Sequence, residues 1–152
     1  MTGVKRYRVG FSKEGLTAFL LAMLPNILWA LVPPANDVLA ANAMVFPVWE
    51  AIASLSQWVM IAALVILVRA DTGKGQRSKA MLCYAAACLV GYYACWILYY
   101  SGIACPWLFI GMAVLPTAYF TLAALWLKNR IALVPAILFG TIHIALACVT
   151  YL

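Results

Sequence analysis

AMLCYAAACLVGYYACWILYY, Ala80 to Tyr100, contains no charged side chain. Coiled as a helix at about 1.5 Å per residue, a run of this length crosses a hydrocarbon layer about 30 Å thick. Its flanks differ in charge. On the N-terminal side stands RADTGKGQRSK, with the cations Arg69, Lys74, Arg77 and Lys79, whereas Ser101 to Pro106 on the other side has no Lys or Arg.

Working outward from this run, the same alternation continues. Apolar spans are predicted at Gly15 to Val32, Phe46 to Val68, Ala80 to Tyr100, Pro106 to Leu127 and Ile131 to Leu152, forming one transmembrane domain over residues 1–152. Lys5, Arg6, Arg8 and Lys13 precede the first span, and Lys128 and Arg130 separate the last two. The connections Pro33 to Pro47 and Ser101 to Pro106 carry no Lys or Arg, so all 10 cations fall on one side of a five-span topology. An excess of positive charge on alternate connections orients a membrane protein with that side in the cytoplasm. The expected fold is therefore an all-α bundle of five transmembrane helices, N-terminus cytoplasmic and C-terminus outside. Helices are expected throughout because an isolated strand leaves its backbone unsatisfied in lipid.

Composition agrees: 68% of residues are hydrophobic and 9% charged, with a mean hydropathy of +1.02. That leaves too little polar surface to coat a soluble globule. The net charge of +6 is accounted for by topology and by anionic headgroups rather than by nucleic acid. The basic segment Lys5 to Lys13 leads into an apolar run without a small-residue cleavage site, so a retained first span is expected. The expected location is a bacterial cytoplasmic (inner) membrane.

Metal, redox and phosphate chemistry lack their usual patterns. Cys83, Cys88, Cys95 and Cys148 lie within spans, Cys105 has no outer-loop partner, no CxxC occurs and there is one histidine. Neither a metal site nor a cofactor is expected. The GKG of the basic loop is only a fragment of a phosphate-binding loop, and that loop reads as a solvated linker.

Polar residues inside spans usually face the bundle interior or a cavity. Glu50, Ser54 and Gln57 share one face of the second span. Tyr84, Cys88, Tyr92, Cys95 and Tyr99 follow helical spacing on the third, and Thr117 and Thr121 stand one turn apart on the fourth. The fifth aligns Ala132, Ala136, Gly140, His143, Ala147 and Thr150, small residues that admit a close helix or ligand. Depth brings these faces together. His143 lies about 18 Å from the inner end of its span and Glu50 about 6 Å from the outer end of its own, with Asn26, Tyr92, Tyr93 and Thr117 near the middle or outer half. The picture is a cavity open outward above a sealed inner half.

Pro25 and Pro116 are interior to their helices, and each frees a carbonyl one turn back, at Leu21 and Met112. Pro47, Pro106 and Pro135 sit in first turns, where proline is tolerated. Trp29, Trp49, Trp96, Tyr99, Tyr100, Trp107 and Tyr151 read as an outer interfacial belt and Trp126 as an inner one. Trp58, Tyr92 and Tyr93 lie too deep for that. Glu50 reads either as a group reaching headgroup water or as a site residue. His143 reads either as an interhelical hydrogen-bonding partner or as a ligand or proton-handling group.

Five short-looped spans, a long first outer loop ending in proline-containing elements, and a proline in the first turn of the last span resemble the translocator protein family, also called the tryptophan-rich sensory or peripheral benzodiazepine receptor family. VFPVW at Val45 to Trp49, CYAAACL at Cys83 to Leu89 and LVPAILFGTIHIAL at Leu133 to Leu146 are similar to parts of its second, third and fifth helices. The resemblance implies a pocket using Trp49, Tyr92 and Tyr93, and Phe139 where the family commonly has tryptophan, with His143 one turn further along. Pro33 and Pro34 stand near its W-x-P-P loop element, without the tryptophan. It also implies a homodimer through the third helix, where Ala87 and Gly91 are small enough for close packing.

The function expected is non-enzymatic: binding or transport of a hydrophobic or amphipathic small molecule, tetrapyrrole-, sterol- or lipid-like, in the outer half of the bundle. Trp49, Trp58, Tyr92 and Phe139 would form aromatic walls, with Asn26, Glu50, Gln57, Tyr93 and His143 also in the site. The loop containing Asn36, Asp37 and Asn42 would act as a lid. The alternatives are a proton-coupled transporter using Glu50 and His143, acid–base catalysis by the same pair, and a non-catalytic helical subunit of a larger membrane complex.

Overall fold

The computed structural model describes residues 7–42, 46–70 and 77–152. Lys5, Arg6, Lys74, Val45 and the GKG sequence lie outside these residues. Five long helices, α1 (Lys13–Leu31), α3 (Pro47–Ile66), α4 (Lys79–Tyr100), α5 (Pro106–Trp126) and α6 (Arg130–Tyr151), are each long and apolar enough to cross a membrane. They coincide with the five expected spans to within two residues at each end. Three short elements were not anticipated. A helical turn, α2 (Val38–Ala41), lies in the first long connection, and β1 (Tyr7–Val9) pairs antiparallel with β2 (Leu67–Arg69).

The hairpin shortens the second span. Helix is expected through Val68, yet the chain extends from Leu67 and Tyr7 stands opposite Arg69. Gly10 and Ser12 continue the attachment by donating their N–H groups to the carbonyls of Ile66 and Val65. The periodicity of VILVR suits either a helix end or a strand. A pairing partner sixty residues away in sequence chooses the strand.

α4 packs on α5, α5 on α6 and α6 on α3; α1 contacts α3, α5 and α4 more sparsely and closes the ring. At the end that carries the cations, glycine and alanine draw the helices together. A Cβ at Gly15 would collide with the Leu64 carbonyl, so the backbones of α1 and α3 touch there. Ala22, Met60, Leu64, Ala85, Tyr119, Phe120, Ala124, Ala132 and Ala136 form a continuous core in this half. Gly140 makes the corresponding close approach to Thr117 between α6 and α5.

Polar caps fasten the same end. Ser12 and Ser78 cap α1 and α4 by accepting from the Gly15 and Met81 N–H groups. Asn129, 4% exposed, accepts from the Ala132 N–H to start α6, while its Nδ2 donates to the Ala63 and Leu67 carbonyls at the end of α3. Tyr7 donates to the Lys128 carbonyl and accepts from the Arg130 N–H. Arg77, expected in a solvated linker, pairs with Glu14 at 3.2 Å and lies 4.7 Å over the Trp126 ring. Every described cation belongs to this end: Arg8, Lys13, Arg69, Arg77, Lys79, Lys128 and Arg130.

Pro135, expected in a first turn, is the sixth residue of α6 and so lies inside that helix, while Pro25 acts as its position requires. Tyr93 donates to the Leu21 carbonyl at 2.6 Å, the carbonyl that Pro25 cannot serve. One residue earlier, the Tyr92 hydroxyl accepts from Asn26 Nδ2 at 2.7 Å. The two adjacent deep tyrosines thus hold the proline turn of α1 against α4.

Candidate functional site

At the end opposite the cations the helices separate around a cavity of about 500 Å³, a size ordinary for small-molecule sites. All five long helices contribute. α1 supplies Ala22, Met23, Asn26 and Trp29; α3 supplies Glu50, Ala53, Ser54 and Gln57; α4 supplies Tyr92 and Trp96. α5 supplies Phe109, Met112, Pro116 and Phe120, and α6 supplies Phe139, His143, Leu146, Thr150 and Tyr151. Leu39 and Asn42, at and just after α2, reach the rim.

Nearer the cationic end Gly15 brings α1 against α3, whereas the lining residues of α1, Met23, Asn26 and Trp29, follow Ala22. The two buried prolines, Pro25 and Pro116, lie at the same level. Beyond them the core is a layer of the aromatic Tyr92, Trp96, Tyr99 and Phe109 with Leu108 and Met112.

Of the expected site residues, Asn26, Glu50, Gln57, Tyr92, Phe139 and His143 line this one cavity, as does Asn42 of the loop. The others do not. Trp49 and Trp58 are 55% and 66% exposed on the outer face of α3, each adjacent in sequence to one of the inward positions, Glu50 and Gln57, and so turned away from that face. The face of α3 that carries Val48, Ile52, Leu55 and Val59 is likewise exposed. These two tryptophans therefore belong to the apolar exterior. Tyr93 turns to Leu21, as described, and Asn36 is exposed on the loop.

Glu50 also serves the fold, since its Oε1 accepts the Phe46 N–H at 3.2 Å and steadies the first turn of α3. His143 lies face to face with Phe139, ring centroids 5.0 Å apart and planes inclined by 17°. This stacked pair makes a flat wall of α6.

Trp29, Trp96 and Tyr151, all expected in the interfacial belt, line the cavity, and Trp96 departs furthest from that expectation. Placed in the interfacial belt, it is instead 5% exposed and lines the cavity, with Trp29, Tyr92, Tyr99 and Tyr100 around it at centroid distances of 5.9 to 6.5 Å. Its Nε1–H is buried and makes no hydrogen bond among the described residues; such a donor is costly unless something accepts from it. The available signal was spacing: Trp96 follows Tyr92 by four residues, on the face that spacing already marked. Tyr84, assigned to that same face, is 65% exposed, and near the start of α4 it is the adjacent Ala85 that is buried.

The loop closes over the rim through Asp37. Its carboxylate caps α2 by accepting from the Ala40 N–H at 3.1 Å, and accepts from the Tyr99 hydroxyl at 2.8 Å and from the Trp29 indole at 2.9 Å. Tyr99 in turn accepts the Leu39 N–H, and Tyr100 donates to the Val32 carbonyl. Burial pushes the Asp37 carboxyl up, but the hydrogen bonds from Tyr99, Ala40 and Trp29 outweigh it and hold the group below the usual aspartate range. Asp37 is thus a clasp of the loop rather than part of the wall.

The small-residue pair assigned to a dimer face divides in the same way. Gly91 faces Leu115 of α5 within its own chain, while Ala87 is exposed. Among the described residues no group of three or more His, Cys, Asp or Glu side chains is placed to hold a metal ion, and all five cysteines are free.

These features define a bundle of five potentially membrane-spanning helices with an aromatic cavity at the end away from its cations. Comparison with protein-family models, curated proteins and solved structures finds no match for this chain.

Proposed function

We propose that this is an integral membrane protein of a bacterial inner membrane that binds, or carries, a hydrophobic or amphipathic small molecule in the cavity between its five helices. The cationic end faces the cytoplasm, by the charge rule, and the cavity faces outward. The observation that carries the reading is the convergence of all five helices on one volume of about 500 Å³, larger than the cavity of about 280 Å³ near Glu14 and Trp126 at the cationic end.

Trp29, Trp96, Tyr92, Phe109, Phe120 and Phe139 supply apolar area, and the few polar groups orient the ligand. The loop through α2 covers the rim, held by Asp37. The likeness of the sequence to the translocator protein family is a second support, for a tetrapyrrole-, sterol- or lipid-like ligand among the candidates.

Tryptophan fluorescence tests the proposal, because two of the six tryptophans line the cavity. Purified protein in detergent is titrated with protoporphyrin, a sterol and a neutral triaryl compound. Saturable quenching is expected with at least one of them. It should weaken at least about tenfold in Ser54→Phe, which fills the cavity from an exposed position without touching the core. No saturable change with any of the three refutes the proposal.

A further inference from the structure

We infer that the ligand of this cavity is a hydrophobic organic cation, with Glu50 as its counter-charge and the aromatic walls as its solvation. The inference rests on the binding function proposed above and specifies the charge of what is bound.

Charge is distributed very unevenly over this molecule. Glu50 is the one side chain of fixed charge among those lining the cavity. Asp37 does not line the cavity but is at the same end of the bundle, where its carboxylate accepts from the indole of Trp29, a lining residue. No lysine or arginine lines the cavity. Seven described cations are gathered at the far end, where Glu14, the remaining described acid, is paired with Arg77. The cavity end therefore carries two carboxylates and no described cation to balance them. A low-dielectric space lined by one sign of charge concentrates the opposite sign.

The walls point the same way. Aromatic faces attract cations through their quadrupoles, most strongly when water is excluded, and tryptophan and tyrosine do so best. Trp29, Trp96 and Tyr92 line the cavity together, near one another. An acidic ligand such as a carboxylated tetrapyrrole would meet Glu50 without any cation to offset the repulsion. Among amphipathic molecules, the match is a bulky aryl or alkyl body bearing a permanent or protonated positive centre.

A matched pair of probes isolates charge from shape: tetraphenylphosphonium and tetraphenylborate share size and geometry and differ in sign. Binding is measured by tryptophan quenching and by equilibrium dialysis against protein-free micelles, with neutral triphenylphosphine oxide alongside. Tetraphenylphosphonium should bind at least about tenfold more tightly than the borate, a modest ratio for a partly desolvated ion pair. Glu50→Gln should narrow that ratio. Because Glu50 also holds the first turn of α3, Ser54→Lys is the second variant. It places a cation one turn along from an exposed position and should lower phosphonium affinity while raising borate affinity.

Equal binding of the two ions, tighter binding of the borate, or binding of the neutral oxide alone overturns the cation inference and leaves the binding function standing. A phosphonium preference unchanged in both variants also overturns it. If none of these probes binds, nor any of those used above, the binding function itself fails and this inference with it.

Discussion

Replacing Tyr93 by phenylalanine removes one hydroxyl and tests how the proline turn of α1 is held. Pro25 has no N–H to give to the Leu21 carbonyl, and the Tyr93 hydroxyl reaches that carbonyl at 2.6 Å, the short end of the range for O–H donors. Leu21 is 42% exposed; within a bilayer that exposure is to lipid, so no water replaces the lost donor. Interhelical hydrogen bonds in membranes contribute about 0.6 kcal/mol on average and up to about 1.7. A carbonyl with no second donor belongs at the upper end, and Tyr93→Phe should destabilise the bundle by about 1–2 kcal/mol.

The sharper result comes from a double-mutant cycle. Pro25→Ala restores an N–H at position 25 that bonds Leu21 within the helix, making the tyrosine redundant. Tyr93→Phe should then cost about 1 kcal/mol less in the Pro25→Ala background than in the wild type. Reversible unfolding in mixed micelles of increasing denaturing detergent measures all four proteins. An equal cost in both backgrounds refutes the pairing of hydroxyl with proline-freed carbonyl, whatever the absolute values.

Other expectations follow from the same contacts. Gly15→Ala should destabilise by about 1–3 kcal/mol although alanine favours helix, because the new methyl meets the Leu64 carbonyl; thermal unfolding at or above the wild-type midpoint would refute it. Asn129→Ala removes the cap of α6 and two donors to α3, an expected loss of about 2–3 kcal/mol by the same unfolding assay. The Asp37 carboxyl is held below its ordinary range, so it binds protons less readily folded than unfolded. Its contribution to the loop is complete above that range and is lost as pH falls through the lowered value, below about pH 4. Trp29 emission should report that release, and an identical acid transition in Asp37→Asn would exclude Asp37 as its cause.

The spans were legible because each depends on local sequence: about twenty apolar residues in a row form a helix wherever lipid surrounds them. The inward faces of α3 and α6 were legible for a related reason. Glu50, Ser54 and Gln57, and the alanines around Gly140, repeat at the helical period and need no knowledge of their neighbours. Trp49 and Trp58 show where this stops. An aromatic ring suits a cavity wall and an apolar exterior equally, so the choice falls to the rotation of α3 in the bundle. Trp96 failed in the opposite direction, drawn inward by four aromatic rings that only the folded chain assembles.

What the sequence determined by itself, then, was the number of long apolar helices, the end on which the cations gather, and the carbonyls that Pro25 and Pro116 set free. Those properties follow from composition and from bonds within a few residues. The tertiary structure decided which group answers a freed carbonyl, since Tyr93 lies 72 residues from Leu21. It also made a strand of Leu67 to Arg69 by supplying Tyr7 to Val9 as a partner. It decided, finally, that Glu50 stands in a cavity with no cation beside it, because the distance between charges on different helices is set by packing and appears nowhere in their order along the chain.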